Sequence, residues 1–321
     1  MRGLVIADDA TGALECGSLL AGLGADVSVI LDGGPTAGHE CIVADTESRH
    51  LRPGEARGRV TAWAQRAGGA WVYKKTDSTL RGNIDAELSA FETREVVYVG
   101  AYPALGRTVR AGRLFVHGVP VEETEFARDA RHPVKSGDLR ALLGAGVDVR
   151  DAETEEDLTR IAQSLAGRRC VIAGPSGFVP YWARLAGLTL GGARRPPAAS
   201  RWLVVCGSLH PASLRQSERA EAAGLAVLRT SDERVDAEQA SADLARRTVQ
   251  RLAEADAVFL MGGDTAIAVW RAMGIRELTP YPQALPGVAV SRANGILFVT
   301  KAGGFGAEDV VERVREKLSA Q

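Results

Sequence analysis

The sequence predicts an α/β fold, with two α/β domains that have mainly parallel sheets and an active-site cleft between them. Three observations carry this prediction: a length of 321 residues, short apolar strands that alternate with helices, and a Gly/Pro/Ala-rich stretch at residues 191–200. A chain of this length exceeds the size at which one hydrophobic core usually keeps growing. Strands alternating with helices are typical of parallel sheets covered by helices. We therefore expect domains at 1–190 and 201–321, joined by the linker 191–200.

The first domain repeats one unit, in which an apolar strand runs into a polar turn and then a helix. Strands are predicted at 4–7, 27–31, 41–44, 70–73 and 96–99, and helices at about 13–23, 55–66 and after residue 83. Residues 112–121 predict a hairpin, and residues 122–129 a polar excursion from it. Helical and strand signals then resume up to residue 185.

The second domain has the same layout, with glycine or serine turns after its strands. Strands are predicted at 202–206, 226–228, 257–261 and 296–300, with helices after Pro211, at about 237–253, after residue 265 and from residue 308.

The amino-acid composition argues against several functional classes, among them nucleic-acid-binding and membrane proteins. With 45% hydrophobic residues, 25% charged residues and a net charge of −1, the chain is typical of a globular protein, and nucleic acid is not an expected partner. No signal peptide or membrane span is predicted, so we expect a cytoplasmic protein without a membrane partner. The four cysteines are scattered and predict small buried side chains rather than a metal site. A homo-oligomer is left open.

The most informative stretch is Lys74–Asn83, which follows an apolar strand and precedes a helix. It combines two lysines, an aspartate, two hydroxyl residues, an arginine, a glycine and an amide. A solvated helix cap is the alternative interpretation. The variety of polar groups favours a ligand site, and lysine is scarce here, with only five among the 39 basic residues.

Other polar residues also follow predicted strand ends, where ligands bind in parallel sheets. We expect Arg81 or Arg49 to hold a substrate carboxylate and Asp9 or Asp77 to accept a proton from a hydroxyl. The predicted catalytic residues are Asp77, Asp9, Lys75 and Arg81. The predicted substrate-binding residues are Asp8, Asp9, Arg49, Lys74, Lys75, Asp77, Ser78, Thr79, Arg81, Gly82 and Asn83.

The turns of the second domain suit a phosphate, because glycines allow close backbone approach and helix N-termini supply N–H groups. Neither the Walker A nor the Rossmann pattern is present. The predicted nucleotide-binding residues are Ser208, Gly262, Gly263, Asp264, Thr265, Lys301, Gly303 and Gly304. Together with the first domain they suggest phosphoryl transfer from a nucleotide, with Mg²⁺ bridging the nucleotide phosphates and no metal ligands assigned.

Five blocks of the chain resemble the signature blocks of the four-carbon acid sugar kinases. These blocks are 7–13, 45–49, Lys74–Asn83 followed by Glu87-Leu88, 262–265 and 301–306, in family order. The family includes D-threonate, D-erythronate and 2-oxo-tetronate kinases. The resemblance implies ATP-dependent phosphorylation of a terminal hydroxyl, with substrate in the first domain and ATP in the second. By carry-over, Asp9, Arg49 and residues 75–82 contact the substrate, whereas Ser208, residues 262–265 and Gly303-Gly304 contact ATP.

The chain departs from the family pattern in length, with material missing near the linker and after Thr230 and a contraction at 102–107. The alternatives are a sugar-acid or nucleotide-binding protein that has lost catalysis, or a kinase for another small sugar. A nicotinamide-dependent oxidoreductase lacks its dinucleotide fingerprint. Asp77 and Asp9 rank above Asp264 as the base, and the substrate's identity and stereochemistry stay undetermined.

Overall fold

The computed structural model describes residues 1–31, 33–34, 38–129, 131–230 and 237–319. The chain folds into two compact units. Unit 1 comprises Met1–Cys16 and Pro35–Leu190, and unit 2 comprises Gly17–Gly34 and Gly191–Gln321. Residues 17–34 therefore group with unit 2, whereas the sequence analysis assigned them to the first domain. The predicted linker at 191–200 stays a prediction.

The first half of the chain contains ten strands and six α-helices in the residues described. In chain order they are β1 (Gly3–Ala7), α1 (Ala10–Gly22), β2 (Val27–Ile30), β3 (Cys41–Asp45), α2 (Pro53–Arg66), β4 (Trp71–Lys75), α3 (Ile84–Leu88), β5 (Val96–Val99), β6 (Arg107–Arg110), β7 (Arg113–Val116), β8 (Val119–Pro120), α4 (Leu139–Leu143), β9 (Val147–Arg150), α5 (Glu155–Ser164), β10 (Val171–Gly174) and α6 (Val179–Leu185).

The second half continues the alternation and then changes to a meander of strands. Its elements are β11 (Trp202–Cys206), α7 (Pro211–Ala222), β12 (Ala226–Arg229), α8 (Ala237–Arg251), β13 (Ala257–Met261), α9 (Gly263–Ala272), β14 (Glu277–Leu285), β15 (Val288–Ala293), β16 (Ile296–Lys301) and α10 (Val310–Ser319).

The main sheet of unit 1 is parallel throughout, in the order β3-β1-β4-β10-β5-β9. The strands β1, β3 and β10 are mainly apolar and are buried along their length, as expected for a parallel sheet covered by helices. The register pairs Ala7 with both Asp45 and Lys75, and Lys75 with Gly174. The carboxyl ends of four neighbouring strands are thus level.

A small antiparallel sheet, β6-β7-β8, branches from unit 1 after β5. The predicted hairpin at 112–121 corresponds to β7 and β8, and β6 extends it. Both tight turns have positive φ at two consecutive residues, Ala111-Gly112 and His117-Gly118. This is the backbone pattern of type I′ turns, whose twist matches that of the adjoining strands.

The sheet of unit 2 combines two strand arrangements. The strands β12, β11, β13 and β16 are parallel, whereas β16, β15, β14 and β2 run antiparallel in succession. The sequence analysis did not assign β14 or β15. Two prolines, Pro280 and Pro282, interrupt the β14 pattern, and proline within a run argues against a strand. Mainly parallel α/β architecture is nevertheless confirmed.

The core agrees with the apolar pattern of the sequence. In unit 2, Phe259, Val299 and Val314 belong to one buried cluster, and none of their side chains is exposed. All four cysteines are buried, as predicted, and they form no disulfide. Among the described residues, no helix combines the length and apolar composition that a membrane span requires.

Candidate active site

The predicted polar residues of unit 1 meet at the carboxyl end of its parallel sheet. Asp8 and Asp9 directly follow β1, Arg49 lies four residues after β3, and Asp77 lies two residues after β4. Because β3, β1 and β4 are neighbours in level register, these side chains come within ion-pair distance of one another. This is the position at which open parallel sheets bind ligands.

Arg49 is the central cation of the cluster. Its Nε donates to Asp8 Oδ2 at 2.7 Å, its Nη1 donates to Asp9 Oδ2 at 2.8 Å, and its Nη2 lies 3.7 Å from Asp77 Oδ1. Burial by itself would raise the pKa of Asp8, but the charges of Arg49, Lys75 and Lys74 lower it to about 2. Arg49 is therefore held in place by carboxylates of the protein.

Asp77 and Arg81 form a two-pronged ion pair. Arg81 Nε donates to Asp77 Oδ2 at 3.0 Å, and Arg81 Nη2 donates to Oδ1 at 2.9 Å. Oδ2 also accepts from Thr79 N at 3.1 Å and Thr79 Oγ1 at 2.6 Å. Burial would raise the pKa of Asp77, but Arg81 and Arg49 hold it well below its usual range. So strongly stabilised a carboxylate is a poor base, contrary to the sequence-based expectation.

The adjacent lysines of β4 have opposite environments. Lys74 is 0% exposed, and its Nζ contacts Glu87 Oε2 at 2.8 Å and donates to Lys75 O at 2.7 Å. Lys74 therefore stabilises the fold, and its expected substrate contact is not supported. Lys75 Nζ has as its nearest carboxylate Asp8 Oδ1, at 3.8 Å, and makes no hydrogen bond in the part of the chain described. Lys75 is the available ammonium.

The end of the Lys74–Asn83 stretch fixes the loop that carries Arg49. The Asn83 side chain donates to the carbonyls of Ser48 at 3.0 Å and Leu51 at 2.8 Å rather than capping α3. Gly82 has φ +92°, and a Cβ there would lie 2.9 Å from Arg49 Cγ. Ser78, also predicted to bind substrate, is half-buried in the same turn.

Sequence reasoning missed several residues around this cluster. Asp129 Oδ2 lies 3.4 Å from Arg81 Nη1, and Asp129 Oδ1 accepts from His132 N at 2.8 Å. His132 Nε2 is 2.7 Å from His50 Nδ1, and the two rings stack with centroids 4.9 Å apart. The polar excursion predicted at 122–129 thus ends beside Arg81.

Glu15, in α1, is another residue that the sequence analysis did not select. Burial raises its pKa, and the charge of Lys75 and the neighbouring Ser176 hydroxyl offset part of the increase. A single glutamate in a helix of apolar and small residues gives no distinctive pattern, so only the fold could place it near Lys75.

The predicted phosphate turns of unit 2 lie at the ends of three neighbouring strands, β11, β13 and β16. A Cβ at Gly207 would lie 2.1 Å from Thr265 Oγ1, and a Cβ at Gly303 would lie 2.4 Å from Ser208 Oγ. Gly262, with φ +110°, precedes α9, whose first turn contains Gly263 and the exposed Asp264. The turns are thus packed so closely at Gly207 and Gly303 that neither position has room for a side chain.

Lys301 is buried beneath these turns and hydrogen-bonds to their backbone carbonyls. Its Nζ is buried and donates to Ser213 Oγ at 3.0 Å, Ala302 O at 3.1 Å and Gly303 O at 2.9 Å. Burial lowers its pKa to about 8. All three N–H groups of an ammonium are used within the protein, so a direct phosphate contact by Lys301, which the sequence suggested, is not supported.

His210 lies at the same turns and was not predicted. Its Nδ1 accepts from Ala212 N at 3.2 Å and caps α7, which leaves Nε2 as the protonated nitrogen of the neutral ring. A Cβ at Gly304 would lie 3.0 Å from His210 Nε2, so the ring lies over the Gly303-Gly304 turn.

Two family models match the chain. A sugar-binding N-terminal domain matches residues 3–150, which contain the cluster around Arg49 and Lys75. A nucleotide-binding C-terminal domain matches residues 228–311, which contain the Gly262–Thr265 and Lys301–Gly306 turns.

Curated relatives match over nearly the whole chain. The chain is 30% identical to a D-threonate kinase of Salmonella typhimurium over 415 residues, covering 97% of both proteins. It is 29% identical to a D-threonate kinase of Bordetella bronchiseptica, covering 98% of this chain and 96% of the relative. A 3-oxo-tetronate kinase of Brucella melitensis is 26% identical over 96% of this chain and 94% of its own. The relatives thus include kinases of the 3-oxo acid, where the sequence analysis named the 2-oxo acid.

Solved structures share the fold. A Salmonella typhimurium protein described as a putative tRNA synthase has a TM-score of 0.81 at 22% identity, covering 99% of this chain and 100% of its own, a likeness that concerns the fold alone. A Bordetella bronchiseptica protein of a family of unknown function, solved with citrate as a domain-swapped dimer, has a TM-score of 0.52 at 27% identity, covering 99% and 98%. Together with the relative that is 30% identical over 97% of its length, the matches show that the chain belongs to the four-carbon acid sugar kinase family.

Proposed function

We propose that this chain is an ATP-dependent kinase that phosphorylates the terminal hydroxyl of a four-carbon sugar acid. The observation that carries the proposal is the cation Lys75, buried beside Asp8 and Asp9 with no hydrogen bond in the described part of unit 1. A buried ammonium that forms no hydrogen bond within the protein can donate its N–H groups to an oxygen-rich, anionic ligand. The kinase names of the relatives support the reaction class.

The arginines supply the proposed contact with the substrate carboxylate. Arg81 Nη1 lies 3.4 Å from Asp129, farther than Nε and Nη2 lie from Asp77. Among the three nitrogens, Nη1 is therefore the one that can most easily leave its protein partner for a substrate carboxylate. Arg49 is proposed to position Asp8 and Asp9, which accept hydrogen bonds from substrate hydroxyls. These assignments keep the predicted site, with Lys74 moved from ligand binding to the fold.

The turns of unit 2 are proposed to hold ATP, which supplies the transferred phosphoryl group. Gly303 and Gly207 admit no side chain, and the N-terminus of α9 presents backbone N–H groups, so the residues fit a phosphate chain. The described residues contain no group of three or more His, Cys, Asp or Glu that would hold a metal. Mg²⁺ is proposed to be bound by the nucleotide phosphates. A cytoplasmic location and a homo-oligomer stay predictions.

The direct test is a coupled ADP assay with Mg²⁺-ATP and the stereoisomeric threonates, erythronates and oxo-tetronates. We expect turnover with at least one acid and none without acid. Arg81→Ala and Asp77→Asn are expected to abolish turnover while ATP binding is kept, because both lie in the proposed acid site. The matched control is Asp243→Asn, which disrupts an exposed ion pair with Arg246 on α8.

Two results would contradict the proposal. If no acid of the panel supports ADP formation while calorimetry detects tight acid binding, the chain is a binding protein that has lost catalysis. Loss of ATP affinity in both Arg81→Ala and Asp77→Asn would contradict the assignment of acid and nucleotide to different units.

A further inference from the structure

The carboxyl groups that follow the strands of unit 1 are already bound by cations. Asp8 and Asp9 accept from Arg49, and Asp77 accepts from Arg81 through both oxygens. The second oxygen of Asp9 accepts from Gly12 N at 3.0 Å. A bound cation favours the charged form of a carboxyl group, so it lowers the group's ability to take up a proton. The predicted base Asp77, whose pKa is lowered by the neighbouring Arg81 and Arg49, is thus a weak proton acceptor.

Glu15 lies on the side of α1 that Lys75 contacts. A Cβ at Gly12 would lie 2.5 Å from Lys75 Nζ, so the ammonium rests directly against the helix at that residue. Glu15 follows Gly12 by three residues, and residues three apart in a helix are neighbours on one face. Glu15 therefore stands next to the ammonium along the helix.

Glu15 differs from the three aspartates in its partners. It makes no ion pair within the described chain, and its Oε1 is buried without a hydrogen bond. Burial raises the pKa of Glu15, whereas the pKa of Asp8 and of Asp77 is lowered by neighbouring arginines despite their burial. Carboxyl groups whose environments separate their proton affinities in this way are typical of acid–base pairs in enzymes.

Polar and titratable side chains surround Glu15. Ser176, two residues after the end of β10, is buried, and its hydroxyl, like that of Tyr102, lies beside Glu15 and lowers the pKa of Glu15. The Tyr102 ring packs on the next residue, because a Cβ at Gly177 would lie 2.7 Å from that ring. The titratable or charged groups that face Glu15 are Asp9, Cys16, Tyr73, Lys75, Tyr102 and Arg107.

We propose that Glu15 is the general base of the reaction and removes the proton from the substrate hydroxyl that Lys75 holds. The inference rests on the proposed kinase function. The O–H bond breaks toward the Glu15 carboxylate, and the hydroxyl oxygen forms a bond to the γ-phosphorus as the bond from that phosphorus to the β-γ bridging oxygen breaks. The products are the phosphorylated acid and ADP, and Glu15 returns its proton to solvent. No oxidant or reductant is needed.

The test compares Glu15→Gln and Glu15→Asp with the wild-type chain under saturating Mg²⁺-ATP. Glutamine keeps the shape of the side chain but cannot take the proton. We expect kcat of Glu15→Gln to fall about 100-fold or more, the usual contribution of a general base. KM for the acid should change by less than about threefold, since binding does not require proton transfer. Glu15→Asp should retain part of kcat.

The pH profile separates catalysis from a structural role. In the wild type, kcat/KM should fall as the pH drops through the raised pKa of Glu15, because only the ionised carboxylate accepts a proton. This acidic limb should be absent in Glu15→Gln. The matched control is Glu156→Gln, on the exposed face of α5, which should keep the wild-type kcat and profile.

The outcomes are distinct from those of the proposed function. An active wild type with a fully active Glu15→Gln would overturn the role of Glu15 alone. A higher KM with unchanged kcat would do the same and assign Glu15 to binding. A wild type that forms no ADP with any acid would overturn both proposals. Circular dichroism and ATP binding of each variant verify that it is folded.

Discussion

At the scale of single residues, two neighbouring lysines have different tasks. Side chains alternate between the two faces of a strand, so Lys74 and Lys75 point in opposite directions from β4. Lys74 meets Glu87 of α3, and the Ser48 hydroxyl donates to the same carboxylate. Lys75 meets Gly12 of α1. One residue thus stabilises the fold, and the other remains available to a ligand.

The buried Lys74–Glu87 pair leads to a prediction about stability. Lys74→Met leaves the Glu87 carboxylate buried without its cation, and we expect the free energy of unfolding to fall by about 3–5 kcal/mol. The double variant Lys74→Met/Glu87→Leu should recover at least half of this loss, because no isolated charge remains. Urea denaturation followed by circular dichroism measures both changes.

The control for this prediction is an exposed ion pair. Arg160 pairs with Asp157 on α5 with 74% of its side chain exposed, so Arg160→Ala should cost less than about 1 kcal/mol. An equal effect of Lys74→Met and Arg160→Ala would show that the buried pair is not a stabilising element.

At the scale of elements, glycines divide into those that face a neighbour and those that face solvent. In unit 2, the ends of β11 and β16 and the start of α9 approach so closely that Gly207 and Gly303 leave no room for a methyl group. In α2, Gly58 is exposed, and a Cβ there would meet nothing within 4 Å. The same residue type therefore has opposite consequences in the two places.

Alanine substitution tests this difference. In Gly207→Ala the new methyl group displaces Thr265. An overpacking cost of about 1–3 kcal/mol in the nucleotide-bound state predicts an about 5- to 150-fold loss of ATP affinity. Gly58→Ala should instead stabilise the chain by about 0.5–1 kcal/mol, because alanine is the better helix former. Calorimetric titration with ATP and thermal melts measure the two effects. Unchanged ATP affinity in Gly207→Ala would refute the proposed nucleotide turns.

At the scale of the whole molecule, the chain combines a unit matched by a sugar-binding model with a unit matched by a nucleotide-binding model. The alignment with the Salmonella D-threonate kinase runs over 415 residues, whereas this chain has 321, so that relative contains internal segments absent here. In this shorter chain, both clusters of predicted site residues lie at strand ends.

Ligand-induced stabilisation tests the two units separately. A ligand at 100 times its Kd stabilises the folded state by about 2.7 kcal/mol, so ATP and the preferred acid should each raise Tm. Arg81→Ala should lose the shift with the acid and keep the shift with ATP, and Gly207→Ala should show the reverse. Differential scanning calorimetry provides the measurement. If each variant lost both shifts, the assignment of one ligand to each unit would be wrong.

The sequence by itself determined the fold class, the family and the strand ends that carry the candidate site. This was possible because polar residues directly after apolar strands must meet at one edge of a parallel sheet. It missed β14, because two prolines interrupt its strand pattern, and it listed Asn83 among the substrate-binding residues, although the Asn83 amide holds the loop of Arg49.

Only the tertiary structure decided which of the polar side chains are occupied by contacts within the protein and which are available to a ligand. Lys74 and Lys301 look like ligand residues in the sequence, yet contacts within the protein occupy their ammonium groups. Asp77 looks like a base, yet Arg81 holds both of its oxygens. Glu15 has no distinctive pattern, but the fold places it near Lys75, and it forms no ion pair among the described residues. Proton affinity and availability depend on neighbours distant in the chain, so no local pattern specifies them.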